Sequence, residues 1–221
     1  MTIFRSFCVL ILLLFSVGAL SEDEPPKATH DGLQLLKKTR SSAVYGKPGA
    51  DLSEYDKVAL LEAYVAFKKR WQRNYNEQVD MEHQVRDKDI KRIRSDLAKE
   101  FAKVFADVLS TKGGHELVGE GGPGVLVIRP AIVNLEITAP DTMVAGMDSM
   151  YAGNAGDMTL YMELYDGASG AILYRIVDAE AAGNDMWRVR NRVTNRADAD
   201  RVLRKWAETL NSHLAGAKPS S

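Results

Sequence analysis

The chain reads as an α+β protein: a mixed sheet of four to five strands with two long amphipathic helices packed on one face. Three observations predict this. Lys88–Thr111 and Arg196–Leu214 each repeat apolar residues at three- and four-residue steps, the period of a helix with one buried side. Met158–Tyr165 alternates strictly and runs into Asp166-Gly167-Ala168-Ser169-Gly170, a strong hairpin signal. Tyr55–Phe67 is apolar on both faces, as a strand in a covered sheet must be.

Taken in order, residues 1–21 have the layout of a secretory signal: Arg5, an apolar run from Phe7 to Phe15, then small residues, with cleavage expected after Ala19 or Ser21. The run is shorter than the ~20 apolar residues of a comfortable membrane span. The expected location is periplasmic or secreted, or tethered to the inner membrane if the leader is retained. Residues 22–54 read as an extended arm and turn, holding Pro25, Pro26 and Pro48, with Gly32–Thr39 docking as a single helical turn. Residues 55–214 form one α+β domain, and 215–221 a loose tail.

Within the domain, the strand Tyr55–Phe67 ends at Lys68-Lys69-Arg70, and residues 74–87 carry no clear period. The first helix presents Ile90, Ile93, Leu97, Phe101, Val104, Phe105 and Val108, and stops at Gly113-Gly114. Glu116–Val118 is a short strand. Val125–Thr138 is a long one, where Pro130 suggests a sheet edge or a bulge. Met158, Leu160, Met162 and Leu164 point inward, with Thr159, Tyr161, Glu163 and Tyr165 outward. Ala171–Ala181 returns as the hairpin partner. The last helix buries Val202, Leu203, Trp206, Leu210 and Leu214, with Asn195 as a candidate N-cap. The first helix makes its flanking strands parallel, and the hairpin makes the later ones antiparallel.

Composition narrows the chemistry. Cys8 is the only cysteine and lies in the leader, so the mature chain has no thiol for a disulfide, a metal or nucleophilic attack. The formal net charge of −1 provides no global field for a polyanion, and nucleic acid is not an expected partner. His30, His83, His115 and His213 are scattered, which excludes a close-spaced metal motif. Gly119–Gly124 is Gly-rich but leads into a strand, so it reads as a turn and not a phosphate cradle. Asp178 and Glu180 share a strand face, as acid–base carboxylates or as a solvated surface. Met143, Met147 and Met150 would stripe a binding loop or cap the open end of the core. No cofactor is expected.

Two basic-aromatic stretches are the candidate ligand or partner surface: Lys68, Lys69, Arg70, Trp71 and Arg73, and Trp187, Arg188, Arg190 and Arg192. Arginine beside aromatics suits phosphate, carboxylate or sugar-polymer contacts.

Several phrases resemble one bacterial family. They are Asp31-Gly32-Leu33, then Pro48-Gly49-Ala50-Asp51-Leu52-Ser53-Glu54-Tyr55-Asp56-Lys57-Val58, Gly122-Pro123-Gly124-Val125-Leu126, Glu163-Leu164-Tyr165-Asp166 before Ser169-Gly170, and Asp200 with Trp206-Ala207-Glu208. Together they resemble the domain of unknown function three-three-one-three, over about residues 31–214. The resemblance implies an envelope lipoprotein-like protein with a fold similar to the αβ module of the TolB amino-terminal domain and of curli-secretion lipoproteins. It implies no catalytic residues, and the lipobox cysteine of the family pattern is missing here.

The expected function is therefore that of an exported, non-catalytic envelope protein, a binding or assembly module that self-associates or docks on an envelope protein complex. The alternatives are direct binding of anionic lipid or glycan through the basic-aromatic stretches, and a carboxylate-dependent hydrolase of envelope polymers.

Overall fold

The computed structural model describes residues 24–137, 150–152, 156–181, 188–190 and 192–217. The leader, Trp187, Met143 and Met147 lie outside them. In chain order the elements are β1 (Gln34–Lys38), β2 (Ser42–Gly46), β3 (Lys57–Leu60), β4 (Tyr64–Phe67), α1 (Trp71–Asn76) and α2 (Asp87–Asp107). There follow β5 (Glu116–Val118), β6 (Val125–Ile137), β7 (Met150–Ala152), β8 (Gly156–Asp166), β9 (Ile172–Ala181), β10 (Arg188–Arg190) and α3 (Arg192–Ala217).

The architecture is α+β, but the main sheet has eight strands, not four or five. Its order is β1-β2-β9-β8-β6-β3-β5, with β4 also paired to β6, and β7 and β10 form a separate antiparallel ribbon. β3 lies parallel to both β5 and β6, and β8 runs antiparallel to its two neighbours, β6 and β9. That is the mixture the helix and the hairpin demand.

Two of the extra strands come from the segment read as an arm. β1 and β2 form a hairpin whose Ser42–Gly46 limb pairs with Asp178–Tyr174 of β9. Its turn is held by the Thr39 hydroxyl, which accepts the Ser42 backbone N–H at 3.0 Å. The expected helical turn over Gly32–Thr39 is instead β1. A register shift between Leu35 and Lys37 breaks the two-residue alternation, and that irregularity made the leucines look helical.

The stretch Tyr55–Phe67 is two strands, separated at Leu61-Glu62-Ala63. The cause lies across the sheet. Leu61 donates its N–H to the Ile128 carbonyl at 2.9 Å, so Ile128 faces β3; Pro130, two residues on, faces the same side with no N–H to offer. Pro130 therefore sits in a central strand, not at an edge, opposite the seam between β3 and β4. The bulge in β6 falls four residues later. Asn134 adopts φ 53°, and the register shifts against both β4 and β8 across that residue.

Both long helices pack on one face of the sheet and share one core. Phe101, Phe105, Val108 and Leu109 from α2 and its continuation meet Leu203, Trp206 and Leu210 from α3 over Leu126, Ile128, Ile132, Leu160, Met162 and Leu164. Phe101 and Phe105 stack at 3.9 Å between ring centroids. α2 ends in a π-turn, Val108–Lys112, which turns both Val108 and Leu109 inward before Gly114 (φ 67°) closes it. α3 begins at Arg192, so Asn195 lies inside it and not at its cap, and it continues to Ala217, into the segment read as tail. No Gly or Pro interrupts residues 192–215 to stop it earlier. The stretch 74–87, which showed no clear period, begins in the short helix α1, Trp71–Asn76.

Three of the phrases that carry the family resemblance, around Tyr55, Gly124 and Asp166, converge on one end of the sheet. The Tyr55 hydroxyl donates to Asp166 at 3.0 Å, and Lys57 N–H donates to the Gly124 carbonyl at 3.3 Å. Gly167 N–H donates to the Val125 carbonyl at 2.9 Å. A Cβ at Gly167 would lie 2.6 Å from the Val125 carbonyl and 2.8 Å from the Gly122 nitrogen, both backbone atoms. Gly167→Ala is therefore expected to destabilise the fold by about 1–3 kcal/mol, the usual penalty of overpacking. Urea denaturation measures it, and a loss below about 0.5 kcal/mol would show that this contact is slack.

Candidate functional site

Three places on this frame hold unusual chemistry. The first is the end of the sheet opposite the resemblance phrases. There Phe67, buried Trp71 and Tyr75 stack at centroid distances of 4.6 and 5.6 Å, with the Arg94 guanidinium 6.0 Å over Phe67. The stack explains the aromatics as internal packing. Of the basic residues between them, Lys68 donates to Glu136 at 2.7 Å and Arg73 lies 3.5 Å from Glu77. The hydrogen bond and charge of Glu136 raise the pKa of Lys68. Lys69 and Arg70 are exposed and have no ion-pair partner among the described residues; Arg70 precedes α1 with φ 65°.

The other basic stretch reaches the same end. Arg188 and Arg190 lie on β10 and Arg192 opens α3, just after β9 ends. β9 and β4 are three strand spacings apart, about 14 Å. Both stretches thus follow strands that finish at one end of the sheet, and Trp187 falls outside the described residues.

The second place is the sheet face without helices. Arg129, Glu163, Arg175 and Tyr45 form one cross-strand row. Glu163 points away from the helices, as its alternation requires, yet is only 7 % exposed. Its carboxylate accepts from the Tyr161 hydroxyl at 2.9 Å, the Tyr165 hydroxyl at 2.6 Å and Arg175 Nε at 3.0 Å. The Arg175 guanidinium also donates to Asp31 at 3.2 Å, and Asp31 accepts from Thr29 as well. Gly32 (φ 84°) then turns the chain so that Leu33 is 1 % exposed. The Asp31-Gly32-Leu33 phrase is thus a strap clasped to the sheet by Arg175.

The electrostatics follow from these contacts. The Arg175 and Thr29 hydrogen bonds bring the Asp31 pKa down to about 2. Burial pushes the Glu163 pKa up, but the bonds from Tyr165, Arg175 and Tyr161 outweigh it and leave it lowered. Burial and the Glu163 bond raise Tyr161 to about 12.

The third place is a groove of about 560 Å³ between α3 and the sheet. Two helices at about 10 Å each cover about 20 Å of sheet, whereas seven strand positions at ~4.8 Å span about 29 Å. The helix layer is too narrow, and β9, β2 and β1 project past α3. The floor is Leu160, Met162, Ile176 and Val44, and Leu36 at the rim is 59 % exposed. Trp206 forms a wall and donates its indole N–H to Asp178 at 2.9 Å. Lys37 on β1 and His213 on α3 also line the groove. The volume and the apolar lining with few polar groups match the usual small-molecule site.

The groove was not legible in the sequence, because it depends on strands the sequence did not reveal. Glu163 was partly legible: Tyr161 and Tyr165 flank it on the same strand face. Asp178, read with Glu180 as a pair of carboxylates sharing a strand face, is engaged by Trp206. Among the described residues no group of three or more His, Cys, Asp or Glu could hold a metal ion. Among them, too, no helix is long and apolar enough to cross a membrane.

These features define a two-layer α+β sandwich with one overhung side. The chain belongs to the family described as a protein of unknown function, DUF3313, whose profile matches residues 27–210. No curated protein matches it. Among solved structures it is similar to the PelC dodecamer from Paraburkholderia phytofirmans, with 13 % identity and a TM-score of 0.40, covering 81 % of this chain and 99 % of that one. A DUF4136 family protein from Bacteroides thetaiotaomicron shows 8 % identity and a TM-score of 0.35, over 78 % of this chain and 96 % of the other.

Proposed function

We propose that this chain is an exported, non-catalytic binding or assembly module of the cell envelope, and that it recognises its partner at the groove beside α3. The groove is the observation that carries this reading: apolar surface left open by a helix layer narrower than its sheet. The secretory layout of residues 1–21 supports export. The family resemblance read from the sequence implies a fold like the TolB and curli-secretion αβ module, and an assembly role would fit that fold-level analogy.

Cell fractionation with amino-terminal sequencing tests export. The exported form is expected to begin at Leu20 or Glu22, and the intact polypeptide in the cytosol would overturn the reading. A photo-crosslinking residue at position 36, used in intact cells, is expected to give an adduct that the same residue at exposed Glu62 does not.

A second reading rests on Lys69 and Arg70, exposed at the end shared with Arg188 and Arg190. It makes the protein a direct binder of anionic lipid or glycan. Replacing these four with Gln is then expected to abolish retention on phosphatidylglycerol vesicles, and retention that ignores both the substitutions and salt rejects it.

A further inference from the structure

We infer that the groove holds the tail of a single-chain amphiphile with an anionic head, and that Lys37 receives the head. This rests on the binding-module reading and gives it a ligand class. The floor and walls decide the tail. Leu160, Met162, Ile176 and Val44 present aliphatic surface between the sheet and α3, and Leu36 extends it to the rim. Along α3 the lining runs from Trp206 to Ala217, about 16 Å at 1.5 Å per residue. A groove of that length with an aliphatic floor suits an extended acyl chain.

The charges on the lining decide the head. Asp178 is held by the Trp206 indole at 2.9 Å, and Asp51 accepts the Ser53 backbone N–H at 2.8 Å, which lowers its pKa. Both carboxylates are therefore satisfied from within the protein. Lys38 next door pairs with Glu24 at 3.6 Å. Lys37 has no ion-pair partner among the described residues, and it stands on the rim strand beside exposed Leu36. A carboxylate or phosphate at the tail's end would complete it with a charge-assisted hydrogen bond. His213 on the opposite bank supplies a second polar contact.

The test is calorimetric titration of the purified mature chain with saturated carboxylates of eight, ten and twelve carbons, below their micellar concentrations. One molecule is expected to bind per chain, with affinity rising about fourfold per added methylene. The twelve-carbon alcohol, without the charge, is expected to bind roughly five- to tenfold more weakly than the acid. Lys37→Gln should bring the acid down to the level of the alcohol, while Val44→Trp, which fills the floor, should abolish binding of both. Glu62→Gln, exposed and outside the groove, keeps binding, and urea denaturation of Val44→Trp checks that this variant is folded.

No heat with any carboxylate would overturn the inference. So would equal binding by Lys37→Gln, by Val44→Trp, or by the alcohol and the acid. Binding of phosphatidylglycerol vesicles without monomeric carboxylate would overturn it in favour of the basic end. A dimer that Val44→Trp dissociates would overturn it in favour of a second copy. Export is scored separately by fractionation, so the ligand class can fail while the envelope reading stands.

Discussion

Arg175→Met is expected to cost about 3–5 kcal/mol of stability, because it leaves the Glu163 carboxylate buried with its hydrogen-bonded cation removed. Glu163 is 7 % exposed, and the Tyr161 and Tyr165 hydroxyls would remain, with the Arg129 guanidinium farther off at 3.6 Å. The same substitution unclasps Asp31, so the strap around Leu33 loosens as well. Urea denaturation gives the magnitude. Adding Glu163→Gln to Arg175→Met should recover part of the loss, since the bare charge is then gone. A single-variant loss under 1 kcal/mol, or no recovery in the double variant, would show that the cluster is solvated.

The cluster also sets an acid limb. Asp31 has its folded pKa depressed to about 2 from an ordinary 3.8, and Glu163 is depressed too. Groups with lowered folded pKa stabilise above their unfolded values, so this contribution is complete above about pH 5. It is lost as pH falls through about 4 towards 2. In Arg175→Met, which removes the shared cation, the decline over that range should flatten.

Trp206→Ala is expected to cost about 3–5 kcal/mol, the range for deleting a buried aromatic. Trp206 is 3 % exposed, joins α3 to the sheet and closes one wall of the groove. Trp206→Phe keeps most of the packing but removes the N–H that Asp178 accepts, and should cost about 1–3 kcal/mol. The gap between the two variants separates the ring's packing from its hydrogen bond. Equal losses would mean that the hydrogen bond alone seats the helix.

Much of this frame could be read from periodicity. Met158–Tyr165 alternates without exception, and the observed inward set is Met158, Leu160, Met162 and Leu164. The buried sides of α2 and α3 follow the three- and four-residue steps for the same reason: one face of each meets one core. The misses have a common cause, namely that the deciding neighbour is far along the chain. The break between β3 and β4 is imposed by Pro130, some 70 residues after it. Asp31 and Arg175 are 144 residues apart, and neither shows locally that it will clasp the other. β1 is an edge strand with a bulge and mostly exposed residues, so it has no alternation to detect. Missing β1 and β2 meant missing the groove, because a four- or five-stranded sheet would lie wholly beneath two helices.

The margins of the sheet bear on how copies of this protein can meet. Leu35 N–H donates to the Lys27 carbonyl at 2.9 Å, and Ala28 bridges to Gln34, so the chain's own start already occupies part of the outer side of β1. At the far margin β5 offers only three residues, and β4, paired to β6 alone, only four. Neither border is a long, bare template on which another molecule's strand could grow, which guards against polymerisation into fibrils. The assembly proposed above would therefore be channelled to the faces and the overhang, where side chains choose the partner and backbone does not.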